Sequence, residues 1–392
     1  MAEAFIVAAA RTAGGRRKGR LSGWHPADLG AQVLNALLDR SGADPAAVDD
    51  VILGCVSQAG EQSTNMARNA VLASRLPESV PGTTIDRQCG SSQQALHFAA
   101  QAVMSGTMDI VIAGGVESMS RVPMGMPHAL PLKEGLGHYV SPGIQRRYPG
   151  AEFSQFAGAD AIARKYGMSK EQLDAFALLS HQRAAAALRE GAFAAEIVPV
   201  QARSAEAGDL GELHTADEGV RLNATLDGIA GVKLITEGGL CTAASASQIC
   251  DGASGVMVVN ERGLKTLGVA PLARIHHMSV LGHDPVIMLE APVPATERAL
   301  RKAGLKIEDI DFYEVNEAFA PIPLAWLQAL GADPARLNVH GGAIALGHPL
   351  GATGTKLMTT LVHALHRQGK RYGLQTMCEG GGLANVTIIE RL

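Results

Sequence analysis

The patterns that build disulfide frameworks and zinc sites are missing from this chain. Its five cysteines (Cys55, Cys89, Cys241, Cys250, Cys378) form an odd set with no Cys-x-x-Cys pair, which leaves free thiols. Aromatic residues are scarce, at 4%, and no Lys/Arg cluster is interleaved with them. With a net charge of -4 the chain offers no basic face to a phosphate backbone, so nucleic acid is not an expected partner. Long apolar runs are absent too. The longest, such as the stretch 110–116, fall far below the roughly 20 residues needed to cross a bilayer. The opening Met-Ala-Glu-Ala-Phe-Ile-Val has an acidic residue and no basic n-region, and reads as a first strand rather than an export signal. A cytoplasmic location without membrane insertion is expected.

What the chain does have is length, apolar material and glycine. At 392 residues with 47% hydrophobic content it exceeds one ordinary core, and two or three packed units are expected. The 45 glycines imply tight loops and close backbone approaches. Strand-like stretches at 51–53 and 110–113 alternate with alanine-rich helical ones such as 93–104, the α/β pattern. The order repeats. Gly90-Ser91-Ser92 leads into a helix, a strand at 109–113 and Gly114-Gly115; Gly351-Ala352-Thr353-Gly354 leads into a helix, a strand at 372–377 and Gly380-Gly381-Gly382. Residues 49–54 and 309–314 add another matching pair. The reading is a duplicated unit: an N-terminal half at 1–120, completed by about 245–270, and a C-terminal half at 271–392. Between them, 121–244 changes character and reads as an inserted loop domain. Within it Ser169-Lys170-Glu171-Gln172 predicts a capping box opening a helix that runs to Gly191.

Four elements carry chemistry. Cys89, in Asp86-Arg87-Gln88-Cys89-Gly90-Ser91-Ser92, is expected where a strand ends and a helix begins. There unpaired N–H groups and the helix dipole favour the thiolate and lower the thiol pKa from about 8.5. His348 lies in the glycine-rich run Gly341-Gly342-Ala343-Ile344-Ala345-Leu346-Gly347-His348-Pro349-Leu350-Gly351, suited to take a proton near neutral pH and to donate to an oxyanion. Met377-Cys378-Glu379-Gly380-Gly381-Gly382 places a second thiol before glycine N–H donors. In Val315-Asn316-Glu317-Ala318-Phe319 an amide is suited to hold a water against an oxyanion. His276 and His277 are read as a solvated strand end, and His363 and His366 as an exposed helix face.

Together these elements resemble the thiolase family in kind and order: a Cys-Gly-Ser turn, Asn-Glu-Ala-Phe, a Gly-His-Pro loop and Cys-x-Gly-Gly-Gly. Gly-Gly-Val-Glu-Ser-Met-Ser at 114–120 and Asp251-Gly252-Ala253 are further matches. The resemblance implies the thiolase fold, with duplicated βαβαβαββ halves in five layers, α-β-α-β-α, and an inserted loop domain. It implies an acyltransferase that makes or breaks the carbon–carbon bond of a 3-oxoacyl-CoA. Cys89 would be acylated, His348 would accept its proton, and Cys378 would exchange the α-proton of acetyl-CoA. The enolate would be held by His348 and an Asn316-bound water, and the tetrahedral oxyanion by the N–H groups of Cys89 and Gly380. Arg221 and Ser247 match CoA-binding positions. Acyl-CoA and CoA are the implied partners, with no tightly bound cofactor or metal and a homodimer or homotetramer as the assembly.

Two segments depart from the short-chain branch of the family. Residues 154–160 read Ser-Gln-Phe-Ala-Gly-Ala-Asp where that branch has His-Met-Gly-x-Thr-Ala-Glu, and 283–288 read His-Asp-Pro-Val-Ile-Met instead of Met-Gly-x-Gly-Pro. Both are expected near the acyl group. The chain looks closer to degradative thiolases, including those of actinobacterial steroid side-chain breakdown. The alternatives are an acetoacetyl-CoA-specific acetyltransferase and a non-catalytic thiolase-like subunit; the second would be expected to lose one of the four elements. Ketoacyl synthases and hydroxymethylglutaryl-CoA synthase use His or Glu in place of the second cysteine. A cysteine hydrolase with a Cys89–His348 dyad would hydrolyse acyl-CoA without CoA-dependent exchange.

Overall fold

The computed structural model describes residues 3–392. Five strands form the first sheet region in the order Phe5–Thr12, Cys250–Val259, Ile110–Ser118, Asp50–Gly54, Gly82–Ile85. The first three neighbours pair antiparallel and the last three parallel. The same plan recurs with Ala273–Gly282, Leu383–Arg391, Tyr372–Glu379 and Phe312–Val315. Its fifth member shrinks to one parallel bridge between Tyr313 and Leu337. A two-residue antiparallel pairing, Phe5 with Arg274 and Ile6 with Ala273, joins the two regions edge to edge.

Helices Pro26–Ser41 and Met66–Ala73 cover one outer face, packing Leu29, Val33 and Leu37 with Met66 and Ala70 onto strand residues such as Val51 and Ile112. Helices Pro292–Ala303 and Pro321–Leu330 cover the other, through Ala295, Ala299, Ile322 and Trp326. Between the sheets lie helices Ser91–Ser105 and Thr353–Arg367, whose Leu96, Ala99, Met358 and Leu361 share one core with both sheets. Five layers result. A helix between two sheets has no solvated face, so Thr353–Arg367 buries nearly its whole first three turns where an outer helix buries one stripe.

The connecting region 121–244 contains helices Met126–Lys133, Pro142–Arg147, Gln155–Lys165 and Lys170–Arg189 and a two-stranded sheet of Val200–Ser204 with Gly208–His214. Ser169 and Gln172 form the predicted capping box, and Gly191 beyond the helix end takes φ 64°. Among the described residues no helix is long and apolar enough to cross a membrane.

Three local expectations change. Gly114 and Gly115 lie inside strand Ile110–Ser118 rather than after it. A Cβ at Gly115 would meet the Gly351 carbonyl at 2.1 Å, so the strand continues while its glycine admits the Gly351 loop. His276 and His277 sit within strand Ala273–Gly282 and are half-buried, not solvated. His363 is likewise turned inward, with Nε2 buried, because the helix that carries it is central; His366 is exposed as expected.

Candidate active site

Cys89 stands in the connection from strand Gly82–Ile85 to helix Ser91–Ser105. Gln88 before it takes φ 49°, a left-handed conformation that costs a non-glycine residue free energy. Asp86 Oδ1 accepts from the Gln88 N–H at 2.7 Å. Ser91 Oγ accepts from the Arg87 N–H at 2.9 Å and donates to the Gln88 carbonyl at 2.6 Å. These bonds hold the strained turn and set Cys89 at the helix start. The expected lowering of the thiol pKa does not occur. Burial first, then the Glu379 carboxylate, push Cys89 up to about 12. A helix end supplies a partial charge, whereas desolvation acts on the full charge of the thiolate. In the free protein Cys89 is a half-buried thiol.

His348 is buried in the loop between the short helix Ala343–Leu346 and helix Thr353–Arg367. Its Nδ1 lies 2.6 Å from Thr353 Oγ1, and the Thr353 hydroxyl donates to the Pro349 carbonyl at 2.8 Å. A hydroxyl has one proton. With that proton on Pro349 O, Thr353 accepts from Nδ1–H, and Nε2 keeps its lone pair. Asn316 Nδ2 donating to Nε2 at 3.3 Å fits the same tautomer. Lys356 Nζ anchors the loop, donating to the carbonyls of Leu346 at 2.5 Å and Gly347 at 2.9 Å. Burial, and then the Lys356 charge, hold the imidazole down at about 3. The base expected to titrate near neutral pH is instead a neutral imidazole, able to accept a proton only as a compensating charge forms beside it.

Asn316 follows strand Phe312–Val315, and its N–H donates to the Thr376 carbonyl at 3.1 Å. Cys378 is therefore close by, at the end of the adjacent parallel strand Tyr372–Glu379. Asn316 Oδ1 is buried with no hydrogen-bond partner among the described residues, free for a ligand or water. Cys378 is fully buried, and burial followed by the nearness of Cys89 raises its thiol well above the usual range. Gly380, just beyond, packs on the Cys89 turn: a Cβ there would meet Gln88 Oε1 at 2.9 Å.

Ser247 is tied to this region through backbone bonds. Its N–H donates to the Ala318 carbonyl at 2.9 Å, and the next carbonyl, of Gln248, accepts from the His348 N–H at 3.1 Å. Arg221 is exposed and stands apart; its guanidinium has no hydrogen bond to the other six candidates. The connection runs through its neighbour Gly219, whose carbonyl accepts from Gln248 Nε2 at 2.9 Å. Three residues given no role from the sequence support the site: Thr353, Lys356 and Glu117. Glu117 accepts from the N–H groups of Val56, Ser57 and Gly351 and from Gln62 Nε2, all within 3.0 Å, tying three loops together. The hydroxyl at the start of the helix after His348 was the visible hint for Thr353. Lys356 had none, since only folding turns it toward the loop. Among the described residues no three His, Cys, Asp or Glu side chains gather so as to hold a metal ion.

Two family models cover nearly the whole chain, the thiolase N-terminal domain over residues 4–262 and the thiolase C-terminal domain over 269–391. The chain belongs to the thiolase family. It is 53% identical to a steroid 3-ketoacyl-CoA thiolase of Mycobacterium tuberculosis, an alignment covering 100% of this chain and 95% of that protein. It is 41% identical to a 3-ketoacyl-CoA thiolase of Bacillus subtilis, over 100% of both chains. To an acetyl-CoA acetyltransferase of Pseudomonas aeruginosa it is 42% identical, over 97% of this chain and 98% of that one. As a thiolase it is an acyltransferase with CoA as a substrate, acting on the carbon–carbon bond of 3-oxoacyl-CoAs.

In this thiolase the two departing segments touch. Ser154 caps helix Gln155–Lys165, and Gly158 in its first turns lies against the Ile287 carbonyl, which an added Cβ would meet at 2.7 Å. The Phe156 ring is edge-on to Phe319 of the Asn-Glu-Ala-Phe stretch, at 5.7 Å between centroids. The second segment is pinned to the C-terminal glycines, with the His283 N–H donating to the Gly382 carbonyl at 2.7 Å. It ends at Met288 with φ 58°.

Proposed function

We propose that this thiolase cleaves 3-oxoacyl-CoAs with acyl parts larger than acetoacetyl, through an acyl group carried on Cys89. The observation that carries the size preference is the contact of the two departing segments with each other and with Phe319. Residues that differ from the short-chain pattern thus form one patch that reaches Phe319, three residues beyond Asn316 in the chain, and a shared change in shape has a single place to act. The 53% identity to a protein named as a steroid 3-ketoacyl-CoA thiolase points the same way.

In the cleavage direction Cys89 Sγ attacks the C3 carbonyl as its proton passes to His348 Nε2, the nitrogen left unprotonated by the Thr353 bond. The oxyanion on C3 faces the N–H groups of Cys89 and Gly380. The C2–C3 bond then breaks, its electron pair going to the enolate of acetyl-CoA, whose oxygen is held by His348 and by Asn316 through water. Cys378 gives its thiol proton to C2, and acetyl-CoA leaves. CoA loses its thiol proton to the Cys378 thiolate and attacks the acyl-Cys89 thioester, and the released Cys89 sulfur regains its proton from His348. Because Cys89 and Cys378 are both strongly disfavoured as thiolates, each forms one only as substrate supplies a bond or charge to offset it.

Arg221 and Ser247 bind CoA in this reading. Residues 1–120 with about 245–270, and 271–392, are the two catalytic halves, and 121–244 is the CoA-binding insertion. The assembly is a homodimer or homotetramer in the cytoplasm. Thiolysis of acetoacetyl-CoA, 3-oxo-octanoyl-CoA and a steroid side-chain 3-oxoacyl-CoA tests the size reading. Four more methylenes buried at roughly 0.8 kcal/mol each are worth about 3 kcal/mol, on the order of a hundredfold in kcat/KM. A preference for acetoacetyl-CoA by about tenfold or more over both larger substrates would assign the enzyme to the short-chain branch. Intact mass after mixing with substrate tests the nucleophile: one acyl adduct on the wild type and none on Cys89→Ser.

A further inference from the structure

A carboxyl close to both cysteines has no part in that reaction. Glu379 stands between Cys378 and Gly380 and is fully buried, and neither of its oxygens has a hydrogen-bond partner among the described residues. Neighbouring residues on a strand face opposite ways, so Glu379 turns away from the Cys378 side chain. It runs into the Cys89 turn instead. A Cβ added to Gly90 would meet Glu379 Oε1 at 2.0 Å and its carboxyl carbon at 2.6 Å. Only the missing side chain of Gly90 lets the carboxyl lie against the backbone next to the nucleophile.

Out of water and without a donor, a carboxylate is among the costliest groups to bury, while the protonated acid forgoes only ordinary hydrogen bonds. Burial accordingly pushes Glu379 up to about 8, although Arg87 and the Asn385 N–H favour its charged form. The other groups facing this pair are Asp86 in the turn, Cys378 on the same strand and Glu117 on strand Ile110–Ser118. From the central helix, His97 is kept neutral by burial and Arg87, at about 3. Asp86 accepts from the Gln88 N–H and Glu117 from four donors. Of these carboxyls Glu379 is the least supported: the Asn385 N–H favours its charged form, but no donor makes a well-aligned hydrogen bond to either oxygen.

We propose that Glu379 works as a neutral carboxylic acid and is a positioning residue for the nucleophile, permitting the Cys89 thiolate while protonated and suppressing it once ionised. The proposal rests on Cys89 being the nucleophile. Each half of the reaction creates a thiolate on Cys89 or Cys378. A fixed negative charge lying against Gly90 would oppose both, and a neutral acid of the same shape opposes neither.

The test is the alkylation rate of Cys89 by iodoacetamide, read by peptide mass spectrometry, in the full-length wild type, Glu379→Gln and Glu379→Leu. Because thiolate is the reacting species, the rate follows thiolate formation. Below about pH 7 the three rates coincide, because Glu379 carries no charge there. Above about pH 8 the wild type falls behind both variants, by about tenfold near pH 9.5, as the carboxylate forms and opposes the thiolate. Divergence already at about pH 6 would mean that Glu379 is ionised in the working enzyme, and coincidence up to about pH 10 would mean that its charge does not reach Cys89. Either result overturns the proposal. Glu379→Leu guards against a misfolded Glu379→Gln, since an acid with no partner has no hydrogen bond to lose when an apolar group replaces it. Alkylation needs no acyl transfer, so failure of Cys89 to acylate with 3-oxoacyl-CoA would be seen separately from failure here.

Discussion

Removing the Thr353 hydroxyl isolates the device that orients His348. Thr353→Val keeps the volume and the branched shape of a fully buried side chain, so packing changes little. It removes the acceptor 2.6 Å from His348 Nδ1 and the donor to the Pro349 carbonyl. The carbonyl keeps a second donor, the Ala352 N–H at 2.9 Å. The imidazole N–H has no replacement in a fully buried loop. Leaving one such group unpaired costs about 1–3 kcal/mol. The ring can avoid that cost by moving its proton to Nε2, which removes the lone pair proposed to receive the Cys89 proton. Whichever happens, the acylation barrier rises by an amount of that order, and kcat/KM for thiolysis falls roughly 10- to 100-fold. Thr353→Ser restores the hydroxyl and should stay within about threefold of wild type, the difference that separates a hydrogen-bond effect from a packing effect. Single-turnover acylation of Cys89 followed by rapid quench and mass analysis reads the affected step directly. A Thr353→Val enzyme that acylates within about threefold of wild type would refute the tautomer argument.

Cys378→Ala should abolish thiolysis and condensation yet still allow Cys89 to acylate itself slowly from acyl-CoA, because only the carbon–carbon step needs a proton at C2; full thiolysis by the variant would remove Cys378 from the mechanism. Lys356→Met removes the cation that helps hold His348 down, so the His348 pKa rises and the neutral imidazole persists over a narrower range. The acid limb of the acylation rate, where His348 protonates, should move to higher pH, and Lys356→Arg should move it back. An acid limb that does not move would show that the charge is not felt at the ring.

Much of the architecture was readable along the chain because it depends on short-range pattern. The strand and helix alternation, the repeat of that alternation near the C-terminus and the capping box at Ser169 each rest on residues a few positions apart. Cys89, Asn316, His348 and Cys378 were singled out by the glycine-rich or strand-end turns around them, and the fold brings Asn316 within 3.3 Å of His348 and its strand alongside that of Cys378. Ionisation behaved differently. The helix start at Ser91 argued for an activated Cys89, and the loop around His348 for a base poised near neutrality, yet both are held neutral. That outcome belongs to the fold: two sheets close over the central helices and strip water from His348 and in part from Cys89, and desolvation falls on full charges while a helix end offers only a fraction of one. Lys356 reaches the His348 loop, and Glu379 reaches the Cys89 turn against Gly90, because distant strands and helices meet there. Local sequence singled out the residues proposed to carry the chemistry; burial and long-range contact, set only when the layers pack, decided the protonation state in which each one waits.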